Sequence, residues 1–294
     1  MRFYTIELSG REHVAVLGTD GEFYLIQQMG YDVDSMNDLI RDVSDRDLED
    51  IKAIVTDVKR LNRICGYKPD QVKILAPIPI PKQDVICIGV NYDAHIQETI
   101  EIEDFTRKEA AVYFSKRVNH MNGMDGVIPS YSFVKELDYE VELAVVLRRE
   151  LFHATEAEAE EAIFGYTIIN DVSARNVQHA HKQWYLGKSL DGYCPMGPCI
   201  VTKDEIADVG KLHLTCKVNG ELRQDSNTSY MMTTVTRALS ELSEGMTLQS
   251  GTILATGTPG GVAMGMAEPK WLQSGDVVEC EIEGIGVLRN VIGS

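Results

Sequence analysis

The chain has 294 residues, 44% of them hydrophobic, which is enough for one large core or a core with a smaller companion. Its formal charge is −17 with a pI near 4.8, and a surface of that sign repels phosphate backbones and argues against nucleic acid as a partner. No run of 18 apolar residues is present to span a membrane, and MRFYTIELSG is not a basic segment leading into an apolar signal.

Six cysteines (Cys65, Cys87, Cys194, Cys199, Cys216 and Cys280) form no CxxC pair and read as thiols of a reducing compartment. A cytoplasmic enzyme is the expectation.

Along the chain, RFYTIEL, HVAVLG and EFYLI read as short strands separated by glycine-containing turns. Residues 35–65 carry apolar side chains at helical spacing, Leu39, Ile40, Leu48, Ile51, Ile54, Val55, Val58 and Leu61 among them. Proline then crowds YKPDQVKILAPIPIPKQ, which breaks regular structure and suits a boundary. The expected division is a small N-terminal domain over 1–70 and a larger domain over 71–294. The larger part opens on the strand DVICIGVNY and continues into the polar, helical AHIQETIEIEDFTRKEAA. Strand signals dominate thereafter: VYFSK, ELDYEVELAVVLRR, GYTIINDVS, LHLTCKVNGEL, GTILATGT and DVVECEIEGIGVLRNVI. Thr155 is placed to cap the helix TEAEAEEAIFG, SYMMTTVTRALSELS is a second helix, and VNGE is a hairpin turn. Strands outnumber helices, so the expected fold is a mixed, β-rich α+β structure.

The stretch KELDYEVELAVVLRRE sets acids at alternate positions before a buried-looking apolar run. Alternation puts Glu140 and Glu142 on one face of a strand, where two like charges disfavour each other's ionisation unless a cation lies between them. Asp171 ends another apolar run, in GYTIINDVSARN. Oxygen ligands of this kind favour magnesium, manganese or calcium over zinc. Asp138 has the same parity but lies further from the apolar run and reads as a flanking charge. His95 and Glu98 are one helical turn apart, as in a general base whose tautomer a carboxylate fixes. Lys188 sits in the loop GKSLDGYCPMGP, where an ammonium can hold an anionic ligand or a developing enolate. TGTPGGVAMG is glycine-dense and lets backbone amides approach a ligand, but has the spacing of neither a P-loop nor a dinucleotide fingerprint.

Taken in order, GVNYDAHIQE, LDYEVELAVVL, GYTIINDVSARNVQ, LGKSLDGYCPMGP and TGTPGGVAMG resemble the fumarylacetoacetate hydrolase family over about residues 70 to 294. The resemblance implies a rolled, mixed β core behind a small N-terminal α+β domain, and a homodimer. It implies magnesium or manganese on Glu140, Glu142 and Asp171, a catalytic set of His95, Glu98 and Lys188, and ligand contacts from Arg175, Gln178 and Thr258. The polar segment from His95 to about Ala110 corresponds to a lid in the short, acylpyruvase-like branch. Two departures stand out. Asn176 replaces the aspartate of the usual SARD, which bears on how Arg175 is held. Ile88 stands where the full-length hydrolases carry a further metal-ligating aspartate, which favours the short branch.

The reaction this implies is carbon–carbon hydrolysis of a 2,4-dioxo acid, an acylpyruvate or fumarylpyruvate, through a metal-bound pyruvate enolate. The same chemistry without water attack would give oxaloacetate decarboxylation or tautomerisation, or isomerisation of a 2-hydroxymuconate-type acid. Some relatives dehydrate 2-keto-3-deoxy sugar acids. A metal-dependent binding protein is the non-enzymatic alternative.

Overall fold

Three short strands open the chain: β1 (Arg2–Leu8), β2 (Arg11–Leu17) and β3 (Phe23–Leu25). This computed structural model describes residues 1–103 and 110–294. Helices α1 (Met36–Asp42), α2 (Asp45–Val55) and α3 (Val58–Leu61) follow, and Ser35 and Ser44 cap the first two by accepting from the amides of Asp38 and Asp47. The two-residue strands β4 (Gly66–Tyr67) and β5 (Lys73–Ile74) lead into the proline-rich stretch.

Beyond it come β6 (Val85–Gly89), α4 (Asp93–Glu103), β7 (Val112–Lys116), β8 (Val127–Ile128), β9 (Leu137–Asp138) and β10 (Val141–Leu147). The chain continues through α5 (Glu156–Glu161), β11 (Ile163–Asn170), β12 (Ser173–Ala174), α6 (Arg175–Ala180) and α7 (Tyr185–Lys188). It closes with β13 (Met196–Thr202), β14 (His213–Val218), β15 (Glu221–Asn227), α8 (Val235–Ser243), β16 (Ile253–Ala255), β17 (Val277–Ile282) and β18 (Gly286–Ile292).

The capping box expected at Thr155 is present, with Glu158 reaching back to the Thr155 amide. Asn219 and Gly220, both at positive φ, form the two-residue turn between β14 and β15. The expected helix SYMMTTVTRALSELS begins later than its sequence pattern indicates. Thr234 caps it, and Ser229 to Thr233 lie outside the helix.

Eleven strands form one sheet in the order β4-β3-β2-β1-β13-β11-β10-β16-β6-β7, with β5 paired to β1. A second sheet of five runs β15-β14-β17-β18-β8, and β9 pairs with β12 beside the site. The fold is the expected mixed, β-rich α+β structure with a rolled β core and a smaller N-terminal α+β region. The large sheet also crosses the composition boundary near residue 70. Arg2 and Phe3 register with Val201 and Ile200, and the Phe3 and Phe164 rings pack at 5.8 Å between centroids.

Strand β10 explains how acids come to lie beside an apolar run. It is flanked by β11 and β16 and buried along its whole length. Val141, Leu143, Val145 and Leu147 face one hydrophobic cluster, while Ala144 and Val146 face the other. A strand covered on both faces needs apolar residues at both parities. Glu140 and Glu142 fall on the parity of Ala144 and Val146, at the end where the second cluster stops. Five of the six cysteines are buried and all six are free thiols. Among the described residues, no helix is long and apolar enough to cross a membrane.

Because the sheet is continuous across residue 70, heat should unfold both regions in one transition. Phe164→Ala removes the ring that packs on Phe3 and should cost about 3–5 kcal/mol. Circular dichroism and tryptophan fluorescence should report the same lowered midpoint. Separate melting of the N-terminal region would count against continuity.

Candidate functional site

The antiparallel register of β10 and β11 assembles the acids. Val141 faces Asn170 and Glu142 faces Ile169, and one step further the amide of Asp171 donates to the carbonyl of Glu140 at 2.9 Å. Residues opposed across an antiparallel pair project to the same face, as do residues two apart on one strand. Glu140, Glu142 and Asp171 are therefore driven together. One carboxylate oxygen from each lies within 4.8 Å of the others, and all three residues are buried.

Three cationic side chains hold this group. Lys188 Nζ donates to Glu140 at 2.7 Å and to Asp171 at 2.9 Å. Arg175 donates through Nη2 to Glu140 at 2.5 Å, through Nε to Asp138 at 2.9 Å, and through Nη1 to Gln178 at 3.1 Å. Lys116, fully buried at the end of β7, donates to the other oxygen of Asp171 and to the carbonyl of Val172. Asp138 also accepts from the amides of Ala263 and Met264, which ties the glycine-rich loop to the cluster.

Electrostatics follow from these contacts. Burial alone would raise the Glu140 carboxyl, but the Lys188 ammonium, the Arg175 guanidinium and His95 outweigh it and hold it well below the usual range. Glu142 goes the other way. Burial, then Asp171 and Glu140 as like charges, push it well above the ordinary carboxylate value, and the amide of Gly257 donates to it at 2.9 Å. Burial opposes the charge on Lys188, yet Asp171 and Glu140 hold it above the usual ammonium range. Four buried carboxyl groups (Asp138, Glu140, Glu142, Asp171) face three buried cations (Lys116, Arg175, Lys188), so with Glu142 ionised, as holding a cation would require, this set carries one excess negative charge. An all-oxygen donor set with excess negative charge suits a hard divalent cation such as magnesium or manganese.

His95 and Glu98 lie in the first turns of α4. His95 Nδ1 sits 2.8 Å from Glu98 Oε1, and Glu98 Oε2 accepts from the amide of Gly261 at 2.8 Å. Gly265 has to be glycine here, because a Cβ would stand 2.5 Å from the Glu98 carboxyl carbon. Asn91 fixes the approach to the helix. It donates to the carbonyls of Thr233 and Thr256 and accepts from the amide of Thr233. Just before Asn91, Val90 adopts φ +56°, a left-handed conformation that is costly for a β-branched residue and is found where tertiary structure enforces it.

One small cavity, with about 20 Å³ of room, is lined by His95, Glu140, Glu142, Arg175, Gln178, Lys188 and Thr258, with Ile88 and Trp184 also on its wall. That volume holds about one water. The structure thus brings together seven of the nine expected site residues on one cavity, with Asp171 in contact with Lys188 and Glu98 with His95. The Thr258 hydroxyl donates to the carbonyl of Val141 at 3.0 Å and accepts from Gln224 at 2.8 Å, so it pins the loop to the β10 backbone. The lid expected from His95 to Ala110 is a helix as far as Glu103, and residues 104–109 lie outside the described residues.

Asp138 corrects the sequence reading. It is not merely a flanking charge: it is fully buried and anchors Arg175. Its parity with Glu140 and Glu142 was the available signal. Asn176 does not replace that anchor. Its side chain accepts from the amide of Lys135 at 3.0 Å and donates to the carbonyl of Phe133 at 3.0 Å, fastening a loop instead. Ile88 presents an apolar side chain to the cavity. Lys116 and Trp184 were not singled out in the sequence. A lysine closing the strand VYFSK gives no sign of the acid it meets from a distant segment.

Glu142→Gln should leave the far-UV circular dichroism unchanged and lower manganese affinity about 100-fold, read by calorimetric titration of the metal-stripped protein. Unchanged affinity would remove Glu142 from the ligand set. Asp138→Ala leaves the buried Arg175 charge short of a partner and should cost about 3–5 kcal/mol in chemical denaturation.

A family model described as fumarylacetoacetate (FAA) hydrolase C-terminal matches residues 84–293. Oxaloacetate tautomerase YisK from Bacillus subtilis is 43% identical over 228 residues, 77% of this chain and 75% of that protein. The mitochondrial oxaloacetate tautomerase Fahd2a from Rattus norvegicus is 42% identical over 225 residues, 76% of this chain and 70% of that protein. In structure, the fumarylacetoacetate hydrolase from psychrophilic Exiguobacterium antarcticum superposes with a TM-score of 0.84 at 37% identity, covering 100% of this chain and 99% of that one. On its matched residues, its rolled β core and the ordered site motifs, this chain belongs to the fumarylacetoacetate hydrolase family.

Proposed function

We propose that the protein is a divalent-metal-dependent keto–enol tautomerase of a short 2-oxo diacid of the oxaloacetate type. The observation that carries this reading is the kinship to relatives named oxaloacetate tautomerase over about three quarters of the chain. It replaces the carbon–carbon hydrolysis that the sequence reading ranked first. The site's chemistry supports the change. Tautomerisation moves one proton between the enol oxygen and C3, with no attacking water and no leaving group. A single acid–base pair beside the acidic cluster is matched to that task.

Glu140, Glu142 and Asp171 would hold the ion, which when bound supplies Lewis-acid polarisation of the 2-keto oxygen and so acidifies C3. Lys116 and Lys188 fix the Asp171 carboxylate, and Arg175 and Lys188 fix Glu140. Lys188 and Arg175 also bring positive charge to the cavity wall, where it favours an anionic ligand. His95 takes and returns the proton. Glu98 holds its Nδ1, sets the tautomer and stabilises the ring when it is charged, while the Gly261 amide keeps Glu98 in place.

Freshly dissolved enol oxaloacetate, followed by ultraviolet absorbance and by proton NMR with magnesium present, tests the reading. The expected outcome is faster approach to an unchanged keto–enol equilibrium, with no pyruvate formed. His95→Ala should lower the rate about 100- to 10,000-fold while manganese affinity changes less than about threefold. Release of pyruvate and carbon dioxide would make the protein a decarboxylase. Cleavage of acetylpyruvate or fumarylpyruvate without tautomerase activity would restore the hydrolase reading.

A further inference from the structure

Beside its charged residues the cavity has an apolar wall built on one close approach. Lys188 and Trp184 are one helical turn apart, and the Lys188 amide donates to the Trp184 carbonyl at 3.0 Å, so the turn that delivers the ammonium to the acids also delivers the indole to the cavity. The indole lies edge-on to Phe114, with ring centroids 5.2 Å apart at 78°. Phe114 itself lies under Lys188, 5.4 Å from Nζ to the ring centroid. The six-membered ring of Trp184 rests on Gly89, where a Cβ would stand 2.3 Å from Cζ3 and 2.8 Å from Cη2. Gly89 is the last residue of β6 and has no positive φ, so its lack of a side chain serves the indole and not the backbone.

We propose that Trp184, seated on Gly89, is the specificity-determining residue that limits ligand length at this site, favouring short 2-oxo acids over longer ones. This deepens the proposed function by naming the substrate class of the same site, and rests on that reading for the placement of the keto acid. The carboxylates and cations fix the polar end of the ligand, so the distance from them to the indole limits its other end. An indole is a rigid stop: it has only two side-chain torsions, and here it packs against both Phe114 and Gly89. The same wall would exclude the longer unsaturated diacids that a wider cavity could accept.

Calorimetric titration of the manganese-loaded protein with oxalate, 2-oxoglutarate and 2-oxoadipate tests the stop without relying on turnover. Trp184→Ala should raise affinity for 2-oxoadipate at least tenfold relative to oxalate, the shortest of the three ligands. Gly89→Ala should push the indole inward and weaken all three ligands at least tenfold. The double variant Gly89→Ala/Trp184→Ala should recover the long-ligand preference of Trp184→Ala. An unchanged affinity ratio in Trp184→Ala, or failure of the double variant to recover binding while it still takes up manganese, overturns the proposal. If Trp184→Ala is too unstable to titrate, Trp184→Leu provides the same ratio. Should the wild type bind these acids in the expected order yet leave enol oxaloacetate unaffected, the tautomerase reading fails while the length filter stands.

Discussion

The site depends on one electrostatic constraint: four carboxylates buried at the end of the central strand β10, with three buried cations to hold them. Uncompensated, such a group would not stay folded, because each unpaired buried charge costs several kcal/mol. Arg175, Lys188 and Lys116 reach the acids from three separate segments, and each therefore ties its own segment to the sheet. Part of the order in α6, α7 and β7 thus has the same origin as the site itself. The excess negative charge that remains is also what makes the cluster receptive to a divalent cation.

Strand β10 can carry this arrangement because its rigidity comes from elsewhere. It is paired on both sides and covered on both faces, so the acids at its end project from a backbone with little freedom. The glycine-rich loop is held with similar economy. Asp138 accepts from two of its amides, Gln224 donates to its Pro259 carbonyl, and Thr258 donates to the β10 backbone. Glycines in that loop allow Glu98 to approach closely, so the acid–base pair on α4 and the acids on β10 share one support.

The division of labour within the proposed chemistry follows from these supports. In the ion cluster Glu140 and Asp171 are each locked by two cations and Glu142 by the Gly257 amide, as suits holding and polarising a bound acid. His95, on a helix entered through the left-handed Val90 and anchored by Asn91, meets the cavity from a separate element. A proton carrier on a separate element from the charges that hold the ligand lets proton transfer be altered without dismantling the cluster.

Much of this was legible in the residues themselves. Strand alternation placed Glu140 and Glu142 on one face, the apolar run after them marked a central strand, and helical spacing joined His95 to Glu98. Those features are local, because side-chain direction repeats every two residues in a strand and about every 3.6 in a helix. The ordered motifs carried the family. What only the tertiary structure decided were the pairings between distant segments: Lys116 with Asp171 across 55 residues, Arg175 with Asp138 across 37, and the indole of Trp184 on Gly89. The burial of Asp138 belongs with them, since a charge beside a strand looks alike in sequence whether water or a guanidinium meets it. A linear pattern fixes which way a side chain points from its own backbone, but its partner is set by how the sheet rolls and which loop closes over it.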